Sequence, residues 1–557
     1  MVSGSGSLCA QTLPSSVDPG RIGEEPKFLP RVSPEGEKEI LSAEERGSPE
    51  IEGANSLFLT LQGVQVEGGS EELRAILTMV FNPLLNQKIS LQEILTQLAA
   101  VNQTYLQKGY LFSKAVLPEQ EITSGVIQVE IVEGQVHDVR ITGEVAAAAD
   151  GGVLSDAKRR ILSLRPFDIK KFERYMLLLN DLPGVKFRSF LVPSVSAKDT
   201  PGAFDVVLEG QRMSARPSVS VDNMGSLYAG PWQTSVRHQS PALIGEFDTI
   251  NAVLQGSLPT DEVKHASAEY SNSLFGLSGV STHVSFGQGV TKAGSNLGIL
   301  DVTGFVRDMG VGLKYQWLRS RTENLLIGLG FGAKDSRSKI LGTETQNDRL
   351  RVARAYATYD VSDRFGGGGV SLFHFEYSRG LNVLGATDRQ SANPSRIDGR
   401  SSFDKLSFFA SRQQSLGTRF GLFFGLKGQY AFQSLLSSEE FGFGGSEMGR
   451  GYDPSEATAD SGLAGTFELR YFPQEVLNGF SMSPFLFVDA GKLWARGQSD
   501  QSVLSLTSAG AGLRLNHEDG WSSSVMVALP LTYSSRNSPR YANGNSPRFL
   551  VSVGRKL

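Results

Sequence analysis

Residues Phe441–Pro454 read FGFGGSEMGRGYDP, with Arg450 between Gly449 and Gly451. A guanidinium is always charged and presents its N–H groups as a planar fork that fits a carboxylate. Glycines this dense free the backbone for unusual φ/ψ values and leave Arg450 and Tyr452 as the large side chains at the loop tip. An exposed loop gains nothing from an arginine so framed. A loop folded back into a cavity does, because the guanidinium there reaches a buried partner. The chemistry expected is recognition by charge and hydrogen bonding.

Catalytic chemistry finds no comparable support. His137, His238, His265, His283, His374 and His517 are scattered, with no HExxH or i,i+4 pair to grip a metal. The single cysteine, Cys9, excludes a disulfide framework and a thiolate cluster. Gly328–Gly332, GLGFG, imitates a dinucleotide fingerprint but sits in a strand-like segment with no helix after it. Neither a P-loop lysine nor a nucleophile elbow is present. The reading is no enzyme, no cofactor and no metal.

The elements around the loop alternate. From residue 212 onward the period is two: Phe420, Leu422, Phe424 and Leu426 line one face, with Tyr430 and Phe432 beyond, while Gly421, Gly425, Lys427 and Gln429 line the other. Phe373, Phe375 and Tyr377 oppose His374, Glu376 and Ser378, and Phe467, Leu469 and Tyr471 oppose Thr466, Glu468 and Arg470. Val525, Val527, Leu529 and Leu531 repeat the pattern. One apolar row and one polar or small row is the signature of a strand with lipid outside and water inside. At about ten residues per strand plus loops, this length holds about 16 strands. No run approaches the roughly 18 apolar residues of a membrane helix, and a hydrophobic content of 40% with 62 glycines suits a β-rich chain with many turns. The formal net charge of −4 carries no nucleic-acid footprint.

Ahead of the barrel, two consecutive units of about 75 residues read β-α-α-β-β. In the first, Phe58–Val66 is a strand, Leu91–Gln107 a helix with Leu91, Ile94, Leu95, Leu98 and Tyr105 on one face, and Tyr110–Leu117 and Val126–Val132 are strands. In the second, Val136–Gly143 is a strand, helices cover 153–163 and 167–180, and strands follow near 185–192 and 203–209. Residues 11–55 are rich in Pro, Gly and Glu without a sustained period, with a short helix expected at Glu37–Arg46. Residues 1–10 lack a basic region and an apolar core, yet Leu8-Cys9-Ala10 before Gln11-Thr12 resembles the end of a cleavage region, as in a truncated precursor or a late start.

Further segments follow one another in a recognisable order: Val221–Gly225 with Gly230, Tyr315–Asn324, Asp348–Ala386 with its glycines at 366–369, Leu435–Tyr471, and Phe487–Gly491 in an F-x-D-x-G pattern. With the two units before them, the chain resembles the outer-membrane transporters of two-partner secretion, the haemolysin secretion/activation protein family that includes filamentous haemagglutinin transporters. The resemblance implies an all-β transmembrane barrel of about 16 antiparallel strands preceded by two α+β POTRA domains. It divides the chain into a flexible N-terminal segment (1–55), a first POTRA-like domain (56–134), a second (135–211) and the barrel (212–557).

It also assigns roles. The loop tip dips into the lumen and Arg450 pairs with the aspartate of F-x-D-x-G, here Asp489, so that Gly449, Arg450, Gly451, Tyr452, Phe487, Asp489 and Gly491 form a lock. Phe487, Asp489 and Gly491 share one strand face, as a lumen-facing carboxylate requires. The POTRA-like units would hold an exported partner by strand addition or groove contacts, with Leu91, Tyr105, Tyr110, Phe112, Phe167, Phe187 and Val192 as candidate contacts. Implied partners are an exoprotein of adhesin or haemolysin type with an N-terminal secretion domain, outer-membrane lipid and the barrel assembly machinery, with no nucleic acid. The implied location is the bacterial outer membrane with the POTRA domains in the periplasm. Two rivals are a barrel-assembly insertase of the same superfamily, whose members carry more POTRA domains, and a diffusion porin, which needs none. The chain ends in Leu557 where the family favours an aromatic residue.

Overall fold

The computed structural model describes residues 15–22, 30–31, 53–122, 124–149, 151–241, 244–258, 261–388, 390–473, 479–496, 503–532 and 546–557. They fall into two units, one drawn from Met1–Gly36, Ser214–Asn272 and Val280–Leu557, the other from Glu37–Met213 and Ser273–Gly279. The expected helix at Glu37–Arg46 and the cleavage-like residues 8–12 lie outside the described residues.

The α+β unit begins with β1 (Phe58–Thr60), β2 (Gly63–Gly68), α1 (Glu71–Phe81), β3 (Lys88–Ser90), α2 (Leu91–Lys108), β4 (Lys114–Val116) and β5 (Val126–Val132). α2 starts at a reciprocal cap: the Glu93 N–H donates to Ser90 Oγ and the Ser90 N–H donates to the Glu93 carboxylate. It stops at Gly109, whose φ of 102° suits a residue without Cβ. Its apolar stripe, Ile94, Leu98, Val101 and Tyr105, packs in one core with Leu73, Ile76 and Leu77 of α1 and Ile127, Val129 and Ile131 of β5.

Two strands differ from expectation. Phe58–Val66 is not continuous: Leu61 is fully buried and its N–H donates to Gln87 O at 3.0 Å. The halves therefore join different sheets, β1 with β3, and β2 in parallel with β5. Tyr110–Leu117 shortens to β4 because the α2 terminus turns on through Ser113, with the Tyr110 N–H on Tyr105 O at 2.8 Å and the Ser113 N–H on Tyr110 O at 3.2 Å.

The same unit continues as β6 (Gln135–Gly143), α3 (Gly152–Leu162), α4 (Ile169–Asn180), β7 (Val185–Pro193) and β8 (Ala203–Arg212), with sheet order β6-β8-β7. Asp168 caps α4 by accepting from the Lys170 and Lys171 N–H groups. Asn180 ties the helix end to β7, accepting from the Phe187 N–H at 2.8 Å and donating to Phe187 O at 3.2 Å.

The other unit is a closed antiparallel barrel of 16 strands. They are β9 (Ser218–Asp222), β10 (Gln233–Pro241), β11 (Thr249–Ser257), β12 (Val263–Leu274), β13 (Val280–Lys292), β14 (Thr303–Arg319), β15 (Glu323–Ile340) and β16 (Thr343–Asp363). β17 (Gly369–Gly380), β18 (Asp404–Leu416) and β19 (Phe420–Ala431) follow. After a hairpin outside the wall, β20 (Phe441–Phe443) with β21 (Ala457–Ala459), the wall resumes with β22 (Ser461–Tyr471), β23 (Phe480–Trp494), β24 (Val503–His517), β25 (Trp521–Pro530) and β26 (Arg548–Lys556). β26 pairs with β9 and closes the ring.

The period of two becomes two faces: Phe373, Phe375 and Tyr377 of β17 are exposed, whereas Leu372, His374 and Ser378 on the alternate row are buried. No helix among the described residues is long and apolar enough to cross a membrane, and a closed barrel needs none, because its ladder satisfies every strand's backbone. Strand length is uneven, from 5 residues in β9 to 21 in β16.

Part of the N-terminal segment runs within the barrel unit. Val17 is buried with Tyr228, Ala293 and Val302 on the loops beyond β9 and β13, and Lys334 Nζ donates to Gly20 O at 2.9 Å. Arg31 meets the opposite ends of β14 and β16, through Gln316 Oε1 at 3.0 Å and the Asp360 carboxylate at 3.2 Å.

Candidate functional site

The segment between β19 and β22 leaves the wall, pairs with itself as β20 and β21, and turns back at a glycine-rich tip. Gly449 has φ 86°, in the left-handed region that glycine adopts without strain. Gly451 is needed for close approach, since a Cβ there would lie 2.7 Å from Ser508 Cβ and 2.8 Å from Pro530 N.

Between them the Arg450 side chain is 2% exposed, and every face of it is engaged. Its Nη2 lies 2.6 Å from Asp489 Oδ1 and its Nε 3.0 Å from Asp489 Oδ2, a bidentate fork. The Arg450 and Gly449 N–H groups donate to the same Oδ2 at 2.9 and 3.1 Å. Nη1 meets Glu468 Oε1, and Nη2 also donates to Thr466 Oγ1 at 2.7 Å. The Phe487 ring lies 3.6 Å from the guanidinium carbon, in cation–π contact. Gly491 lies beside the Phe443 ring, in the apolar cluster that also holds Tyr452. The Tyr452 hydroxyl sits 2.7 Å from Thr507 O and 2.9 Å from Thr532 Oγ1.

Arg450 and Asp489 thus lie together with Phe487, and Tyr452 packs next to them. Sequence reasoning left out the rest of the charge set. Glu468 also takes Arg514 at 3.0 Å and Arg470 at 2.7 Å, so three guanidinium groups converge on one carboxylate. Thr466, Glu468 and Arg470 were visible as the polar row of their strand, a signal sufficient to place them inside. Arg514 carried no such mark.

A second cluster holds the base of the loop. Arg396, from the segment after β17, lies 2.6 Å from Asp460 Oδ1 and 2.7 Å from Glu440 Oε1. Asp460 is fully buried and also accepts from the Leu435 and Arg496 N–H groups at 2.7 and 2.6 Å. Glu439 lies 2.6 Å from Lys405 and 2.9 Å from Arg354, both on barrel strands. Burial works to raise the Glu439 pKa, but Lys405 and then Arg354 outweigh it and hold the carboxyl well below its ordinary range. The N-terminal segment joins here: Arg21 Nη2 donates to Ser437 O at 2.7 Å and to Glu440 O at 2.8 Å, and Asp18 meets the Ser437 hydroxyl.

The candidate partner contacts in the α+β unit separate into two groups. Tyr105 and Phe167 are fully buried and Phe187 is nearly so; they are core residues with no face to offer. Tyr105 even spends its hydroxyl on Leu73 O, at 2.8 Å. Leu91, Tyr110, Phe112 and Val192 are half-buried, and Phe190, within the candidate edge Phe187–Val192, is 49% exposed on edge strand β7. Among the described residues no group of His, Cys, Asp or Glu is placed to hold a metal.

Residues 202–515 match the family model described as haemolysin secretion/activation protein ShlB/FhaC/HecB, more than half of the chain. Residues 59–134 match the POTRA domain, ShlB-type. The heme/hemopexin transporter protein HuxB of Haemophilus influenzae is 24% identical over 502 residues, covering 87% of this chain and 86% of its own. The outer membrane transporter CdiB of Dickeya dadantii is 22% identical over 489 residues, covering 82% and 80%. Among solved structures, CdiB from Escherichia coli superposes with a TM-score of 0.75 at 19% identity, over 93% of this chain and 94% of that one. A loop tip ion-paired to strands of a closed barrel, a POTRA match ahead of it and these relatives agree: the chain belongs to the haemolysin secretion/activation protein family of ShlB, FhaC and HecB, outer-membrane transporters of two-partner secretion whose POTRA domains lie in the periplasm.

Proposed function

We propose that this transporter captures an exoprotein through an N-terminal secretion domain, passes it through the barrel lumen, and performs no bond-making chemistry. Residues 1–55 serve as the N-terminal segment, 56–134 and 135–211 as two receiving domains, and 212–557 as the barrel, set in outer-membrane lipid by the barrel assembly machinery. β4 and β7 are edge strands, with main-chain groups available to an added strand. Phe190 and the half-buried Leu91, Tyr110, Phe112 and Val192 supply side-chain contacts. Gly449, Arg450, Gly451, Tyr452, Phe487, Asp489 and Gly491 act as the lock that keeps the loop in the lumen until substrate passes.

The observation that carries this reading is the buried Arg450–Asp489 pair. A pore that merely admits small solutes has no use for a charged loop tip pinned inside it. The test is export: the chain, given a signal sequence, is expressed with the large β-helical exoprotein encoded beside it, and the medium is assayed. Arg450→Ala should abolish export while the barrel stays in the outer membrane. Partner retained in the periplasm by the intact chain, together with other barrels failing to insert without it, would overturn the reading in favour of an insertase.

A further inference from the structure

The seam that closes the barrel is short, because the wall strand β9 has 5 residues and pairs along that length with β26, as it does with β10. β9 and β26 pair only from Asp222↔Ser552 to Ser218↔Lys556, yet β26 runs on to Arg548. Past that ladder the first strand offers one residue more. The Asn223 N–H donates to Val551 O at 3.1 Å, its side-chain amide donates to Phe549 O at 2.8 Å, and its Oδ1 accepts from the Val551 N–H at 2.7 Å. Beyond Asn223 the two strands have no main-chain bond between them among the described residues.

The loop tip occupies that gap. Arg548, on the last strand, is 3% exposed. Its Nη1 donates to the carbonyl oxygens of Tyr452 and, at 3.3 Å, Arg450, and its Nη2 lies 3.2 Å from Asp453 Oδ1. The other Asp453 oxygen accepts from the Leu227 N–H at 3.0 Å, in the loop that follows the first strand. Asp453 therefore spans the seam, one oxygen to each side. The Arg450 guanidinium holds the tip to β22 and β23; the Asp453 carboxylate holds it to the last strand and to the loop after the first.

We propose that Arg548 is a positioning residue of the lock and that, through Asp453, the loop tip pins the outer end of the seam between the first and last strands. The wall is then complete there only while the tip is docked, and release of the loop loosens the seam as well as clearing the lumen. Nothing in this depends on which partner is exported.

Hydrogen exchange on the full chain in lipid nanodiscs tests it. In Arg548→Gln, exchange at 223–227 and 549–551 should rise about tenfold, as for a local opening that has lost a buried charged contact, with β22 and β23 unchanged. Asp453→Asn alters no strand residue and should give the same rise; it decides the question if Arg548→Gln does not reach the membrane. Faster exchange confined to 444–456, with 223–227 and 549–551 at wild-type rates in Asp453→Asn, would overturn the proposal and leave Arg548 as a packing residue of the loop alone.

Discussion

The tip and the base of the lumen loop are held by opposite arrangements of charge. At the tip the central loop charge is a cation, Arg450, met by the wall anions Asp489 and Glu468, with Asp453 on Arg548 as a pair of the other sense beside it. At the base the loop brings the anions, Glu439, Glu440 and Asp460, and the cations, Arg354, Lys405 and Arg396, come from strands and the segment after β17. A single cluster fixes a point. Two separate clusters fix a register, because sliding the loop along the lumen breaks the Arg450 pairs and the Glu439, Glu440 and Asp460 pairs together. Buried pairs are weak contributors to net stability but strong discriminators, since breaking one leaves a charge without compensation.

That comparison can be broken most severely at the tip. Arg450→Ala strands Asp489, which is fully buried, and should weaken docking of the loop by about 3–5 kcal/mol. Cysteine labelling at Met448→Cys, a position buried in the docked loop, should rise sharply in the intact membrane, while the base remains protected. The base should respond less to Arg396→Met, because this side chain is 18% exposed and Asp460 keeps two backbone donors. A loss of about 2 kcal/mol is expected, read as faster exchange at 435–440. If both variants released the whole loop equally, the two clusters would be one unit.

The smallest expected effect is that of acid. The native pKa of Glu439 lies below its ordinary value of 4.5, so its contribution is complete above that pH and drains away as pH falls towards the native value. The protection of base amides relative to their intrinsic exchange rates should therefore be flat near neutrality and fall below about pH 4.5. Glu439→Gln should remove that slope without changing the tip.

Much of this was legible in the residues, and the exceptions have physical causes. The barrel was readable because alternation over long strands admits few other folds: Phe375 faces out and His374 in by the pleat alone. Arg450 was readable because glycines on both sides of a charge are costly without purpose. Glu468 could have been found on the inward row of its strand. Arg396 could not, since it lies in a segment without a period, and nothing local says which carboxylate it will meet. In the α+β unit, helical spacing placed Leu91 and Tyr105 on one stripe, but spacing does not say whether a stripe faces a core or a partner. Tyr105 went to the core. The alternation along Phe58–Val66 likewise hid the inward turn at Leu61, which depends on Gln87 far along the chain.

The closing seam has a consequence in time. Asn223 and Val551, bonded across it, are 328 residues apart in sequence. Contacts of such separation form late and slowly, because most of the chain must be ordered before they return any free energy. Arg548 lies downstream of Arg450 and Asp489, so a chain arrested short of β26 has that pair but neither a closed wall nor the Arg548 contact to the tip. The nine residues of β26, Arg548–Lys556, thus set when the wall is finished: until they arrive β9 has no strand to close against.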